Sequence, residues 1–161
     1  MERGNWADSV TGLRRWHLTP ADPFCAIIAA DARFCATDYA DDQSWELRIG
    51  EGESAALVLS TRYGGRIGQA SLTPLWTVGG QPRYAAQDYH IPPALSHFAP
   101  GYLRAEGALT AELGLTAEFF VFESHACGGR FTLRNTGSEP VEIRADLVGF
   151  AAAEGRELRV S

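Results

Sequence analysis

Residues 109–150, LTAELGLTAEFFVFESHACGGRFTLRNTGSEPVEIRADLVGF, hold one structural period for longer than any other part of the chain, and that period is two. Leu109, Ala111, Leu113, Leu115, Ala117, Phe119 and Val121 are apolar, and Thr110, Glu112, Thr116 and Glu118 fall between them. Such alternation turns one face of a strand inward and the other toward water. Gly128-Gly129 predicts a break, Phe131 and Leu133 resume the pattern, and Asn135-Thr136-Gly137-Ser138-Glu139-Pro140 supplies turn formers before Val141, Ile143, Ala145 and Leu147 alternate again. The expectation is an antiparallel meander with Glu112 and Glu118 on a solvated face. Phe120 and Phe122 share that polar phase, so the end of the long strand is expected to be covered on both sides.

The remaining chain fits the same architecture. Seventeen Gly and eight Pro are spread through 161 residues, which suits short strands joined by turns. Phe24-Cys25-Ala26-Ile27-Ile28-Ala29 and Arg33-Phe34-Cys35-Ala36 read as a hairpin that would set Cys25 opposite Cys35, within disulfide reach in an oxidising compartment and two small buried hydrophobes in a reducing one. Residues 38–43 read as an acidic loop. Trp45-Glu46-Leu47-Arg48-Ile49 is a strand ended by Gly50-Glu51-Gly52, residues 56–63 form a strand buried on much of both faces, and Gly64-Gly65 turns it into the strand 66–72. Pro74 predicts an edge or a bulge at that strand's end. Residues 83–101 crowd aromatics, His and Pro without a sustained period and read as a long ordered loop, a feature often functional. The fold expected is an all-β antiparallel sandwich of about ten to twelve strands. It occupies residues 24–161, and residues 1–23, with Trp6 and Trp16, form an arm packed across it. A strand beginning near Ser161 predicts a chain cut from a longer one.

Composition excludes several functions. A net charge of −6, with no basic cluster larger than Arg14-Arg15, gives no footing for nucleic acid. All fourteen basic residues are Arg, which identifies no partner. The N-terminus lacks the apolar core of a secretory signal, and no stretch approaches the roughly 20 apolar residues of a membrane helix, so the chain reads as soluble and cytoplasmic. Three Cys do not make a disulfide framework. His90, His97, His125 and Cys127 match no zinc spacing, and Ser96-His97 and Cys127 lack a nucleophile motif; no metal, cofactor or catalytic residue is expected. Asp88, Glu106, Glu112 and Glu118 supply carboxylates without a pattern that pairs two across a cleft. The sharpest binding candidate is carbohydrate, with Trp76, Tyr84, Tyr89 and Tyr102 stacking on pyranose rings and Arg83, Gln87, Asp88 or His90 bonding hydroxyls.

The runs Asp41-Asp42-Gln43-Ser44-Trp45-Glu46-Leu47, Ala56-Leu57-Val58-Leu59-Ser60-Thr61-Arg62-Tyr63-Gly64 and Gly129-Arg130-Phe131-Thr132-Leu133-Arg134-Asn135-Thr136-Gly137, followed by Pro140-Val141, carry a resemblance over residues 24–160. They resemble the N-terminal super-sandwich domain, galactose-mutarotase-like in fold, of glycoside hydrolases and disaccharide phosphorylases whose catalytic domain is a helical barrel. The resemblance implies a non-catalytic module that packs on the catalytic domain of the same parent chain, with a homodimer through an exposed sheet edge as a further partner. No catalytic residue carries over, since acid and base lie in the barrel. Two alternatives stand beside it: a free-standing carbohydrate-binding module using the aromatics of residues 76–102, and an aldose-epimerase-like enzyme, which needs a His paired with a carboxylate in one concave site.

Overall fold

The computed structural model describes residues 14–15, 24–29, 44–62, 69–99, 101–123, 126–153 and 156–157. They form twelve strands: β1 Arg14–Arg15, β2 Phe24–Ala29, β3 Ser44–Ile49, β4 Leu57–Arg62, β5 Gln69–Val78, β6 Gln81–Arg83, β7 Ile91–Ala99, β8 Tyr102–Ala108, β9 Leu113–Glu123, β10 Ala126–Asn135, β11 Ile143–Ala153 and β12 Arg156–Glu157. One sheet has the order β1-β7-β8-β9-β10; the other runs β12-β11-β5-β4-β3-β2, with β6 also on β5. Every pairing is antiparallel, and the two sheets pack as a sandwich.

Alternation builds the core. Leu113, Leu115, Ala117, Phe119 and Val121 of β9 face inward, with Leu103 and Ala105 of β8 beside them and Leu47, Ile49, Leu57, Leu59, Trp76 and Val78 supplied by the other sheet. The Phe131 ring joins the layers, meeting Trp76 edge-on at 5.3 Å and Phe119 at 5.8 Å between centroids. Such edge-to-face pairs add to the gain from buried area. The Val78–Gln81 hairpin closes through Gly79 and Gly80, at φ 56° and 78°. Two successive positive φ values define the turn that matches strand twist, and glycine adopts them without cost.

Four sequence expectations are corrected. Residues 83–101 are not one long loop: they contain a 3-10 turn, Ala86–Asp88, and the nine-residue β7. Its period is hidden by two irregularities, between Ile91 and Ala94 and between Leu95 and His97. Pro92-Pro93 occupies the first, where a missing N–H is tolerated. The second, at Ser96, reverses the phase, so Leu95 and Phe98 both face the core while His97 lies opposite Arg104 on the outer face.

Gly128 and Gly129 do not break the run. They lie within β10, opposite Phe120 and Phe119, and a Cβ at Gly129 would touch the Phe119 ring at 3.4 Å. The segment after β10 does not continue a meander, since β11 crosses to the other sheet and pairs along β5 from Ile143–Val78 to Ala152–Gln69. The crossing is pinned by Thr136, whose N–H and hydroxyl both donate to Glu112 O, and by the Asn135 side chain, which accepts from Gly137 N and donates to Glu139 O. Pro74 lies inside β5, not at its end, at a position where the β4 pairing has stopped at Leu72 and the β6 pairing has not begun until Trp76.

The strand 24–29 pairs with β3. Of the arm 1–23, Arg14–Arg15 pairs with β7; the rest of it, the Cys25–Cys35 juxtaposition, the acidic loop 38–43, the Gly64-Gly65 turn, the Phe122 side chain and His125 lie outside the described residues.

Candidate functional site

The residues singled out for carbohydrate divide between two places. The first is the corner made by β5, β6 and the 3-10 turn. Arg83 sits opposite Trp76 and its Nη1 donates to Asp88 O at 2.6 Å. The Asp88 carboxylate accepts the N–H groups of Ala85, at 2.9 Å, and Tyr84, at 3.2 Å, so it closes the turn from within. Backbone bonds from Ala86 N to Ser54 O, Gln87 N to Gly52 O and Ala56 N to Tyr84 O fasten the corner to the loop before β4. Trp76 and Tyr89 are buried there, at 3% and 5% exposure. Burial pushes the Tyr89 hydroxyl up to about 12, with the Trp76 indole N–H acting in the opposite direction. Tyr84 and His90 are exposed beside the corner.

This corner brings together Trp76, Asp88 and Tyr89, but its two rings turn into packed surroundings and offer no flat face to a sugar. Trp76 Nε1, Arg83 Nε and Tyr89 Oη are buried without a hydrogen bond of good geometry among the described residues. Asp88 is occupied by backbone donors, a role that an Asp three residues past a turn's start fills by simple reach.

Tyr102, the remaining one of the four aromatics, is on the outer face of the other sheet, in a polar network that sequence reading places in solvent. Glu118 is 1% exposed, contrary to the solvated face its phase predicts. Its Oε1 accepts the Tyr102 hydroxyl at 2.8 Å, and its Oε2 accepts Arg130 Nε at 2.7 Å and Nη2 at 2.6 Å. Strand register makes this a row: His97 lies opposite Arg104, Arg104 opposite Glu118, and Glu118 opposite Arg130. Arg104 also pairs with Glu106 at 2.5 Å. Ser96 Oγ donates to Arg104 O at 3.2 Å and lies 3.1 Å from His97 Nδ1. Burial, then the bond to the Glu118 carboxylate and its charge, raises the Tyr102 hydroxyl well above the usual phenol range.

Chemically the row is a packed ion network. Its carboxylate is taken by three donors, and His97 is separated from Glu118 by a whole strand, roughly 10 Å across two strand spacings. Glu112 is exposed in the turn before β9, and Glu106 is exposed on the outer face. Cys127 is half-buried on β10, and burial pushes its thiol up to about 11, away from nucleophilic use. Among the described residues no group of three or more His, Cys, Asp or Glu could hold a metal ion, and no helix is long and apolar enough to cross a membrane.

Among the described residues, exposed large apolar side chains gather on the β5–β11 pair, with Ile91 exposed apart from them on β7. Leu72 is 39% exposed, Leu147 58%, Val148 53% and Phe150 57%. Leu72 and Leu147 belong to the inward phase, since Leu147 faces Pro74 and Gly149 faces Leu72 in the same register that sets Ile143 against Val78. Their exposure means that the described residues of the opposite layer leave this end of the sheet partly uncovered. Val148 and Phe150 occupy the other face, so the end of the pair shows apolar groups on both sides. No known protein family, no curated protein and no solved structure matches the chain.

Proposed function

We propose that the chain is a non-catalytic β-sandwich module of a carbohydrate-active enzyme, working by packing on a catalytic domain. The observation that carries this reading is the exposed apolar end of the β5–β11 pair, with Leu72 and Phe150 on opposite faces. Side chains of this kind in water mark contact surfaces. The carbohydrate part rests on the resemblance of the strand and turn runs at 41–47, 56–64 and 129–141. The geometry favours docking over direct sugar binding, because Trp76, Tyr89 and Tyr102 are buried. It favours docking over epimerase chemistry, because the one buried His and the one buried carboxylate of the outer row are held apart by Arg104.

The test is expression of the whole reading frame beside the isolated chain. A helical catalytic domain is expected in the former, and the isolated chain is expected to turn over no glycoside and to interconvert no aldose anomers. A frame encoding this chain alone, or mutarotation by the isolated chain, overturns the reading.

A further inference from the structure

Two edge strands of the sandwich are treated in opposite ways. On β10 the outward positions 130, 132 and 134 are Arg, Thr and Arg, all exposed, a charged guard of the kind that keeps an edge from pairing. On the β11 side the outward positions 142, 144 and 146 are Glu, Arg and Asp, charges of mixed sign, and the exposed residues after them are Leu147, Val148, Gly149 and Phe150. Among the described residues its free side is met only at Ala152 and Ala153, by β12. Among the described residues the stretch from Ile143 to Val148 is therefore an ordered edge whose charges are of both signs, where those of β10 are of one sign.

We propose that two copies of the chain join antiparallel along this edge, with Ala145 opposite Ala145 of the second copy, making one sheet continuous through both molecules. The charges select the occupant and the register. Arg144 and Asp146 lie on the same face and already bond to each other, Nε to Oδ1 at 3.1 Å and to Oδ2 at 2.9 Å. A two-fold axis at Ala145 sets each Arg144 opposite the other copy's Asp146, so four charges alternate in sign around the axis and no existing pair is broken. Sliding by two residues in one direction sets Arg144 against Arg144; in the other it sets Asp146 against Asp146. Like charges directly opposite are destabilising, and opposite charges there are favourable. On the inward face the same register lays Ile143 against the exposed Leu147, twice by symmetry. An interface that is self-complementary about a two-fold axis closes as a dimer and does not propagate.

This pairing uses residues 142–148 and leaves Leu72 and Phe150 for the domain contact, so either can fail without the other. The measurement is sedimentation velocity of the full chain across a concentration series. The wild type is expected to dimerise; Arg144→Asp and Asp146→Arg, each placing like charges opposite, should weaken the dimer about tenfold or more. The double variant Arg144→Asp/Asp146→Arg restores opposite charges and should return affinity close to wild type. Ala145→Cys should form an intermolecular disulfide under mild oxidation, since opposite Cβ atoms lie within reach of one, whereas Thr132→Cys on β10 should not. A chain monomeric at every concentration overturns the proposal, as does a dimer indifferent to the single swaps, a double swap that fails to restore it, or cross-linking equal at 132 and 145.

Discussion

Replacing Glu118 tests whether the outer row is structural. The carboxylate is 1% exposed and accepts from Tyr102 and twice from Arg130, with Arg104 opposite on the neighbouring strand. In Glu118→Ala the Tyr102 hydroxyl loses its acceptor while still buried, a cost of about 1 to 3 kcal/mol. Two arginines then face a site with no anion in it. Breaking a buried pair from one side costs about 3 to 5 kcal/mol, but Arg130 is 53% exposed and water takes over part of its solvation. The expected loss is therefore about 3 kcal/mol, a large share of the stability of a domain this size. Glu118→Gln keeps an acceptor for Tyr102 and should cost less, about 1 to 2 kcal/mol. The assay is urea unfolding at neutral pH, read as a shift of midpoint with unchanged slope. Glu118→Ala within about 0.5 kcal/mol of wild type, the range of ordinary surface substitutions, would refute the burial argument; so would a loss abolished by high salt, since buried pairs are screened little.

Stability should also fall in alkali. Tyr89 and Cys127 have hydroxyl and thiol raised to about 12 and about 11, and Tyr102 is raised as well, so the folded state holds protons that the unfolded state has released. The stabilisation is complete below the unfolded values and is lost from about pH 9 for Cys127 and about pH 10 for the phenols upward; Tyr89→Phe should flatten the fall of melting temperature between pH 10 and 12, and an unchanged slope would contradict it. Gly107→Ala should lower stability by about 1 to 3 kcal/mol, because the new Cβ would stand 2.7 Å from Ile91 O and 3.0 Å from Pro93 Cα at the first β7 irregularity. Gly80→Val, at φ 78°, should destabilise by more than about 1 kcal/mol in thermal unfolding, whereas Gly79→Asn, at φ 56°, should be nearly neutral.

The period-two reading succeeds where strands run without bulges. From Gly114 to Phe120 each residue has one partner on each side, so sequence phase and face coincide, and the inward set follows directly. It fails at β7 because Pro92-Pro93 and Ser96 each shift the pairing by one residue, and the alternation never lasts long enough to register. The phase of Glu118 is read correctly and its burial is not. A polar phase says which face a side chain takes; whether that face is covered is a tertiary fact. A signal was present, in the arginines at 104 and 130 on the strands either side and in Phe120 two residues along the same phase. The carbohydrate candidates show the same limit from the other side: aromatic residues in or beside a segment without period look free to stack, and two of them, Trp76 on β5 and Tyr89, are instead the corner's own packing.

The distribution of side chains between core and surface sets what can drive association. Leu72, Leu147, Val148 and Phe150 are about half exposed, and completing the burial of four such groups is worth roughly 3 to 6 kcal/mol at 1.5 to 3 kcal/mol each. Joining two molecules loses about 4 kcal/mol or more of overall freedom, so apolar area alone does not hold a partner at micromolar concentration. What β11 adds is order: its residues are already fixed against β5 along ten register pairs, so new backbone bonds on its free side require little further loss of chain entropy. The surplus then depends on polar groups in register. Arg144 and Asp146 occupy that position, and for this reason reversing one charge should alter self-association more than trimming any one of the exposed apolar side chains.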